Sequence, residues 1–236
     1  LNMSETLSGH NEGSFIVWDV GLGAGTNAMA TVREYERLHE EKGELPGLRI
    51  ISFENDLDSL RLAVKNPALF PHVKHPAPAA ILGHGEWSSS RFPVEWILLE
   101  GDFRDHIATA DVPDCIYYDP FSLHTDTPLW RYQMFKELYE KCIKGKTMLF
   151  TYSSSTQVRG ALLAAGLYVG KGAGTGPKSE TTAAFSVKEA CPPWIELLDR
   201  DWLGRFERSS SKYGSNCSDD EKSEIEKRVL DHPQFR

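Results

Sequence analysis

The sequence predicts an α/β fold, a mainly parallel sheet covered by helices. Three observations carry that prediction. From Phe15 to about Val187, short apolar runs bounded by turn residues alternate with longer amphipathic stretches. A glycine-rich turn, Gly21 to Gly25, joins the first apolar run to the first amphipathic one. With 40% hydrophobic and 25% charged residues among 236, the chain has ordinary globular composition, enough for one full domain and an appendage.

Each element has a local reason. Phe15–Val20 reads as the first strand, and Thr26 to Glu41 as a helix closed by Gly43. A second strand is expected at Leu48–Phe53, then a helix from Asp56 to Lys65 that Asn66 and Pro67 end. His72 to Arg91 mixes Pro, Gly, Ser and His without period and reads as an irregular excursion or lid. Strands follow at Glu95–Glu100, Cys115–Tyr118 and Thr147–Tyr152, with a helix from Pro128 to Cys142 between the last two. Ser154 to Ala165 is the next helix, stopped by Gly166, and a short strand at Leu167–Gly170 follows it. The stretch Lys171–Glu180 reads as a loop, after which Phe185–Val187 pairs back. A proline-started helix at Trp194–Arg208 is expected to pack its aromatics Trp194, Trp202 and Phe206 in the core. A last helix opens on the capping box of Ser218 and Glu221 and stops by Pro233. On this reading residues 14–190 form the main domain and residues 191–236 a helical extension.

Composition excludes several classes. No apolar run approaches the roughly 18 residues needed to cross a bilayer, and no secretory pattern opens the chain, so a cytoplasmic protein is expected. Cys115, Cys142, Cys191 and Cys217 lie far apart with no C-x-x-C pair, which speaks against a zinc site or a disulfide framework. His72 and His75 stand in a proline-rich stretch with no third ligand evident and read as surface residues, so no metal is expected. A net charge of −8 disfavours non-specific nucleic-acid binding, yet residues 131–190 hold 9 Lys+Arg against 4 Asp+Glu. A local basic face on an acidic protein is therefore expected.

The chemistry begins at Asp19-Val-Gly21-Leu-Gly23-Ala-Gly25-Thr-Asn27. The glycines are spaced by two, and Thr26 stands where the dinucleotide fingerprint G-x-G-x-x-G has its third glycine. Four acids fall at or near successive strand ends: Asp19, Glu54, Asp102 and Asp119. In a parallel sheet those ends open onto the ligand crevice, and an acidic rim repels a pyrophosphate. It suits a ligand with a sulfonium, an ammonium, ribose hydroxyls and an adenine amine, the groups of S-adenosylmethionine. Glu54 is then expected to accept the ribose hydroxyls, Asp102 to meet the adenine amine, and Phe103 to pack on the ring.

Asp119-Pro120-Phe121-Ser122 puts an acid, a proline and an aromatic after the fourth strand, as several amino-methyltransferases do to hold a flat amine-bearing group. Methyl transfer to nitrogen needs a neutral amine aimed at the methyl carbon. A carboxylate there can orient it and offset the charge developing on nitrogen. Ser153-Ser-Ser155 is not a nucleophile elbow, so hydrolase chemistry is not expected.

Together these motifs resemble, from about Phe15 to Phe185, the methyltransferase domain of the bifunctional bacterial protein that makes 5-methylaminomethyl-2-thiouridine in tRNA. Gly21-Leu-Gly-Ala-Gly-Thr-Asn27 is similar to that family's G-F-G-T-G-x-N, Ser52-Phe-Glu54 to its S-F-E, and Asp114–Phe121 to D-A-W-F-L-D-G-F. Pro128-Leu-Trp130 with Phe135, Thr151–Gly166, and Gly174–Glu180 resemble P-D-M-W with its following phenylalanine, T-x-x-A-x-x-V-R with the next A-G, and G-F-G-x-K-R-E.

The resemblance implies a class I methyltransferase (Rossmann-like) fold with a seven-stranded, mainly parallel sheet whose last strand is antiparallel. It also implies methyl transfer from S-adenosylmethionine to the aminomethyl group of a tRNA wobble uridine. On it, Asp19, Gly21, Gly23, Gly25, Asn27, Glu54, Asp102 and Phe103 bind the cofactor, and Asp119 is the catalytic residue. Phe121, Trp130, Arg159 and Lys178 face the tRNA substrate. Pro120 and Ser179 depart from the family's glycine and arginine. The chain is too short to hold the flavin-dependent oxidoreductase domain as well, so a separate oxidoreductase partner is expected. Three alternatives stay open at this level: an amino-methyltransferase with another acceptor, a dinucleotide oxidoreductase, and a non-catalytic module that binds RNA or a partner.

Overall fold

The computed structural model describes residues 2–10, 13–121, 127–175, 178–214 and 217–236. The chain forms two compact units, Leu1–Tyr117 and Tyr118–Arg236. Among the described residues no helix is long and apolar enough to cross a membrane.

The first unit runs α1 (Met3–Ser8), β1 (Phe15–Val20), α2 (Thr26–Lys42), β2 (Leu48–Glu54) and α3 (Asp58–Lys65). After a 3-10 turn at Pro71–Lys74 come α4 (Pro76–His84), β3 (Glu86–Ser88), β4 (Val94–Glu100), α5 (Phe103–His106) and β5 (Cys115–Tyr118), whose last residue opens the second unit. The strands stand in the order β3-β4-β2-β1-β5. β1 and β2 are parallel with Phe15 opposite Leu48, and β2 and β4 are parallel with Leu48 opposite Val94. Strands covered on both faces need nearly continuous apolar sequence, which β1 and β2 supply, with Phe15, Val17, Trp18, Val20, Ile50 and Phe53 buried. The core tightens around three rings: Trp18 meets Phe53 edge-on at 5.2 Å, and Phe103 meets Phe53 at 4.9 Å. Such contacts contribute about 0.5–1.5 kcal/mol each beyond buried area.

The expected irregular excursion is ordered instead. It comprises the 3-10 turn, α4 and β3, with β3 antiparallel to β4. Pro76 opens α4, where the missing N–H costs nothing, and the His75 ring accepts the Ala77 amide as its N-cap at 3.2 Å. The segment is tied to α2: Arg33 donates to the carbonyl of Pro71 at 3.2 Å, His75 lies 3.5 Å from Glu36, and Arg91 pairs with Glu40 at 2.9 Å. A tethered segment of this kind is not a lid.

The second unit contains α6 (Tyr132–Cys142), β6 (Met148–Thr151), α7 (Thr156–Ala165), β7 (Tyr168–Thr175), β8 (Lys178–Phe185), β9 (Glu196–Leu197), α8 (Arg200–Arg208) and α9 (Asp219–Leu230). Its strands stand in the order β6-β8-β7-β9, with antiparallel pairings throughout. Two expectations change here. Lys171–Glu180 is mostly strand rather than loop, since β7 and β8 form one long hairpin whose second arm inserts beside β6. The described strands therefore number nine rather than seven, and the antiparallel share is larger than a single last strand.

The C-terminal segment is integral to this unit. The helix expected from Trp194 begins only at Arg200, capped by Asp199, and Trp194 is exposed while Trp202 and Phe206 are buried. Gln234 acts as a one-residue strand: its Oε1 accepts the Val169 amide at 2.7 Å, and its Nε2 donates to the carbonyls of Val169 and Leu198 at 2.9 and 2.8 Å. These bonds satisfy the Val169 amide and the Leu198 carbonyl beside β9, and give the Val169 carbonyl, which already accepts the Leu198 amide at 2.8 Å, a second donor.

Candidate functional site

In the first unit the glycine-rich turn connects β1 to α2. Gly23 and Gly25 have φ of +53° and +77°, a region that costs any residue with a Cβ about 1–2 kcal/mol. A Cβ on Gly23 would meet nothing within 4 Å, so that side of the turn is open to a ligand, whereas one on Gly25 would touch Leu60 at 3.5 Å. Glycine thus serves backbone approach at Gly23 and backbone conformation at Gly25.

Glu54 ends β2 with a nearly buried carboxylate that accepts three main-chain amides. Its Oε2 takes Gly23 N at 2.9 Å, and its Oε1 takes Asn55 and Asp56 N at 2.9 and 3.1 Å. A carboxylate offers about four lone-pair positions, so Glu54 retains room for one hydroxyl. Its first task is to hold the turn, a role that the ribose expectation did not include. On the other side, His72 Nε2 bonds the Ala24 carbonyl at 2.9 Å. The histidine read as a surface residue is half-buried against the glycine turn.

The remaining acids do not form an open rim. Asp19 is only 1% exposed and lies inside the sheet, where Ser52 Oγ donates to its Oδ2 at 3.1 Å and Trp96 Nε1 donates to Ser52 Oγ at 2.9 Å. Direct contact between Asp19 and a ligand is thereby corrected to support from beneath the turn. Asp102 caps α5 by accepting the Arg104 amide at 2.9 Å, and its carboxylate pairs with the Arg104 guanidinium, which holds it below the usual carboxylate range. Phe103 is a core ring, 3% exposed, and not the exposed stacking surface expected for adenine. Asn27 is half-buried, and its carbonyl accepts Thr31 Oγ1 at 2.9 Å. Local donors to Asp19, Glu54 and Asp102 remove the mutual repulsion that the spacing alone implied.

In the second unit Asp119 directly follows β5. Its Oδ1 accepts the Tyr152 amide at 2.7 Å and Thr151 Oγ1 at 3.2 Å, both at the end of β6. Two exposed aromatics are tied to Asp119, Phe121 by following it two residues on and Tyr152 by its amide bond: Phe121 is 46% exposed and Tyr152 is 42% exposed. Tyr152 was not among the expected residues, and its position one step past a strand end was the only signal for it. Trp130, expected to face substrate, is buried and donates its indole N–H to the Phe121 carbonyl at 2.8 Å, so it anchors that segment instead. Ser122 lies outside the described residues.

Arg159 is corrected outright. At 1% exposure it cannot reach a phosphate, and it is consumed internally by Thr182 Oγ1 at 3.0 Å, Glu180 Oε1 at 3.0 Å and the Thr181 carbonyl at 2.9 Å. It fastens α7 to β8. Lys178 opens β8, but its side chain lies outside the described residues. Of the other cations in the basic stretch, Lys171 pairs with Glu196 at 3.3 Å, while Arg131, Lys144, Lys146 and Lys188 are exposed.

Comparison with known proteins bears on this geometry. The sequence model of a family described as S-adenosyl-L-methionine-dependent methyltransferase matches residues 76–187. The tRNA 5-methylaminomethyl-2-thiouridine biosynthesis bifunctional protein of Aeromonas salmonicida is 28% identical over 188 residues, which is 73% of this chain and 28% of that one. Its namesake from Actinobacillus pleuropneumoniae is 26% identical over 184 residues, 72% of this chain and 27% of that one. The chain thus spans under a third of the length of these relatives. The crystal structure of MNMC2 from Aquifex aeolicus superposes with a TM-score of 0.66 at 21% identity, covering 97% of this chain and 69% of that one, a likeness of fold.

The chain is an S-adenosylmethionine-dependent methyltransferase of the α/β class. More particularly, over 73% of its length it is similar to a bifunctional tRNA 5-methylaminomethyl-2-thiouridine biosynthesis protein.

Proposed function

We propose that this domain methylates the aminomethyl group of 5-aminomethyl-2-thiouridine at the wobble position of tRNA. The observation that carries the reading is Asp119, fixed through Oδ1 by Tyr152 N and Thr151 Oγ1, with the exposed Phe121 two residues on in the chain and Tyr152, the residue that donates this amide, also exposed. That set suits a flat, amine-bearing base, and the relatives are named for the biosynthesis of such a base in tRNA.

When bound, S-adenosylmethionine supplies a methyl group made electrophilic by its sulfonium. The turn Gly21–Gly25, with Glu54 beneath Gly23, holds it; Asn27 and Asp102 bound the same end of the first unit's sheet. The acceptor must be a neutral amine. As the nitrogen–carbon bond would form, the methyl–sulfur bond would break and leave a neutral thioether; the nitrogen would become cationic and then shed a proton, and Asp119 would offset that charge and accept the hydrogen. Phe121 and Tyr152 pack on the base, while Trp130 steadies the Phe121 carbonyl. Lys178 and the exposed Arg131, Lys144 and Lys146 meet phosphates, which position the RNA without reading its sequence.

A second reading, an amine on another nucleobase, a protein or a small molecule, draws on the burial of Arg159, which removes one of the expected phosphate contacts. The test is methyl transfer from labelled S-adenosylmethionine to three acceptors: tRNA bearing 5-aminomethyl-2-thiouridine, the same tRNA lacking that group, and a pool of small amines. Label recovered in the 5-methylaminomethyl nucleoside, with a rate that falls steeply with salt, supports tRNA. Label only in small amines, or no transfer at all, rejects it.

A further inference from the structure

The glycine turn is gripped from two sides, and only one of them comes from the parallel strands that frame it. Glu54 holds Gly23 by its amide, while His72 Nε2 lies 2.9 Å from the carbonyl oxygen of the next residue, Ala24. A carbonyl oxygen only accepts, so the His72 Nε2 carries the hydrogen. The amide of residue 23 is pulled toward β2 and the carbonyl of residue 24 toward the 3-10 turn, which fixes the Leu22–Gly23 and Ala24–Gly25 peptide units. That grip matters because the turn has to present its backbone closely to a ligand, and its three glycines leave that backbone conformationally permissive.

His72 is itself held. Its carbonyl and that of Pro71 accept from the Arg33 guanidinium at 3.4 and 3.2 Å, and its ring stands edge-on to Phe70 at 6.2 Å. Arg33 sits on α2, the helix that starts from the same glycine turn. Turn, helix and 3-10 segment therefore close a loop of contacts in which His72 is the side chain that touches the cofactor turn.

From this we propose that His72 is a positioning residue for S-adenosylmethionine: its Nε2–H sets the conformation of the Gly21–Gly25 turn. The inference rests on that turn being the cofactor site. A typical intramolecular hydrogen bond contributes a net amount equivalent to about a three- to tenfold change in an equilibrium constant. The side-chain nitrogen of glutamine reaches where histidine Nε2 lies, whereas that of asparagine matches Nδ1, so the two amides separate a donor role from mere bulk.

The experiment is calorimetric titration of wild type, His72→Ala, His72→Gln and His72→Asn with S-adenosylmethionine, with initial rates and thermal melting of each. The expected result is a Kd raised about three- to tenfold in His72→Ala and His72→Asn. The loss should fall on KM for the cofactor rather than on kcat, and His72→Gln should recover most of the affinity. Amide exchange at residues 21–26 should quicken in His72→Ala while that of β1 and β2 stays slow, which keeps the test decisive if affinity is hard to measure. Equal affinity in wild type and His72→Ala overturns the proposal, as does failure of His72→Gln to differ from His72→Asn. If wild type itself binds no S-adenosylmethionine, the cofactor reading fails instead, and the two failures are told apart by that one control.

Discussion

Replacing Glu54 by glutamine separates holding the turn from binding ribose. The carboxylate accepts Gly23 N through one oxygen and Asn55 and Asp56 N through the other. Glutamine keeps one acceptor oxygen and turns the other position into an NH2. With the oxygen on the Asn55–Asp56 pair, the NH2 faces the Gly23 N–H, donor against donor. At 5% exposure water cannot readily substitute, so one unsatisfied amide costs about 1–3 kcal/mol. For a chain of this length each kcal/mol lowers Tm by about 2–4 °C, which predicts a fall of about 5 °C in a thermal melt. The affinity for S-adenosylmethionine should drop with it, because the released turn no longer presents Gly23 in one conformation. A variant that melts with wild type and binds the cofactor equally well refutes the account. One that loses affinity without losing stability shows that Glu54 is a ligand group and nothing more.

Three further predictions follow from individual contacts. Gly160→Ala places a Cβ 2.6 Å from the buried Phe206 ring; overpacking of about 1–3 kcal/mol should outweigh the ~1 kcal/mol gain in helix propensity. A lower Tm should result, and it should recover when Phe206→Leu is added. Asp119→Asn keeps the Oδ1 acceptor for Tyr152 N but loses the charge, so methyl transfer should fall by roughly 10²- to 10⁴-fold while calorimetric affinity for the cofactor is retained. His232 is 4% exposed, and burial holds its pKa below the usual histidine value. Below about pH 6.5 the unfolded chain takes up a proton that the folded chain resists, so stability is full above that pH and declines as pH falls. Urea melts at pH 7.5 and 5.5 should show that decline, and His232→Gln should flatten it.

Much of the parallel half was legible because its strands are continuous apolar runs with glycine or proline at their ends. β1 and β5 have the expected bounds, and the Gly166 stop and the Ser218 cap appear where the residues imply them. The β7–β8 hairpin was not, because glycine reads as loop. Gly170 and Gly172 are there for close approach: a Cβ on Gly172 would lie 2.3 Å from Thr181 Oγ1, and one on Gly170 would lie 2.7 Å from Ile195. α4 was missed because its prolines break the pattern, although Pro76 stands at the one turn of a helix that tolerates it.

Within the site, sequence spacing found the glycine turn and the acids but could not see their donors. Arg104 beside Asp102, Ser52 beneath Asp19 and Thr182 beside Arg159 are contacts of folding, and each turns an expected ligand group into an internal one. His72 lies 48 residues from Ala24 in the chain, and no local pattern announces a contact of that range.

The central claim is that this fold is built to bind S-adenosylmethionine, and calorimetric titration of the purified protein with that compound, and separately with NAD, tests it most directly. The account predicts a Kd in the micromolar range, about −8 kcal/mol, with no heat from NAD. Absence of S-adenosylmethionine binding, or tight binding of NAD in its place, contradicts it.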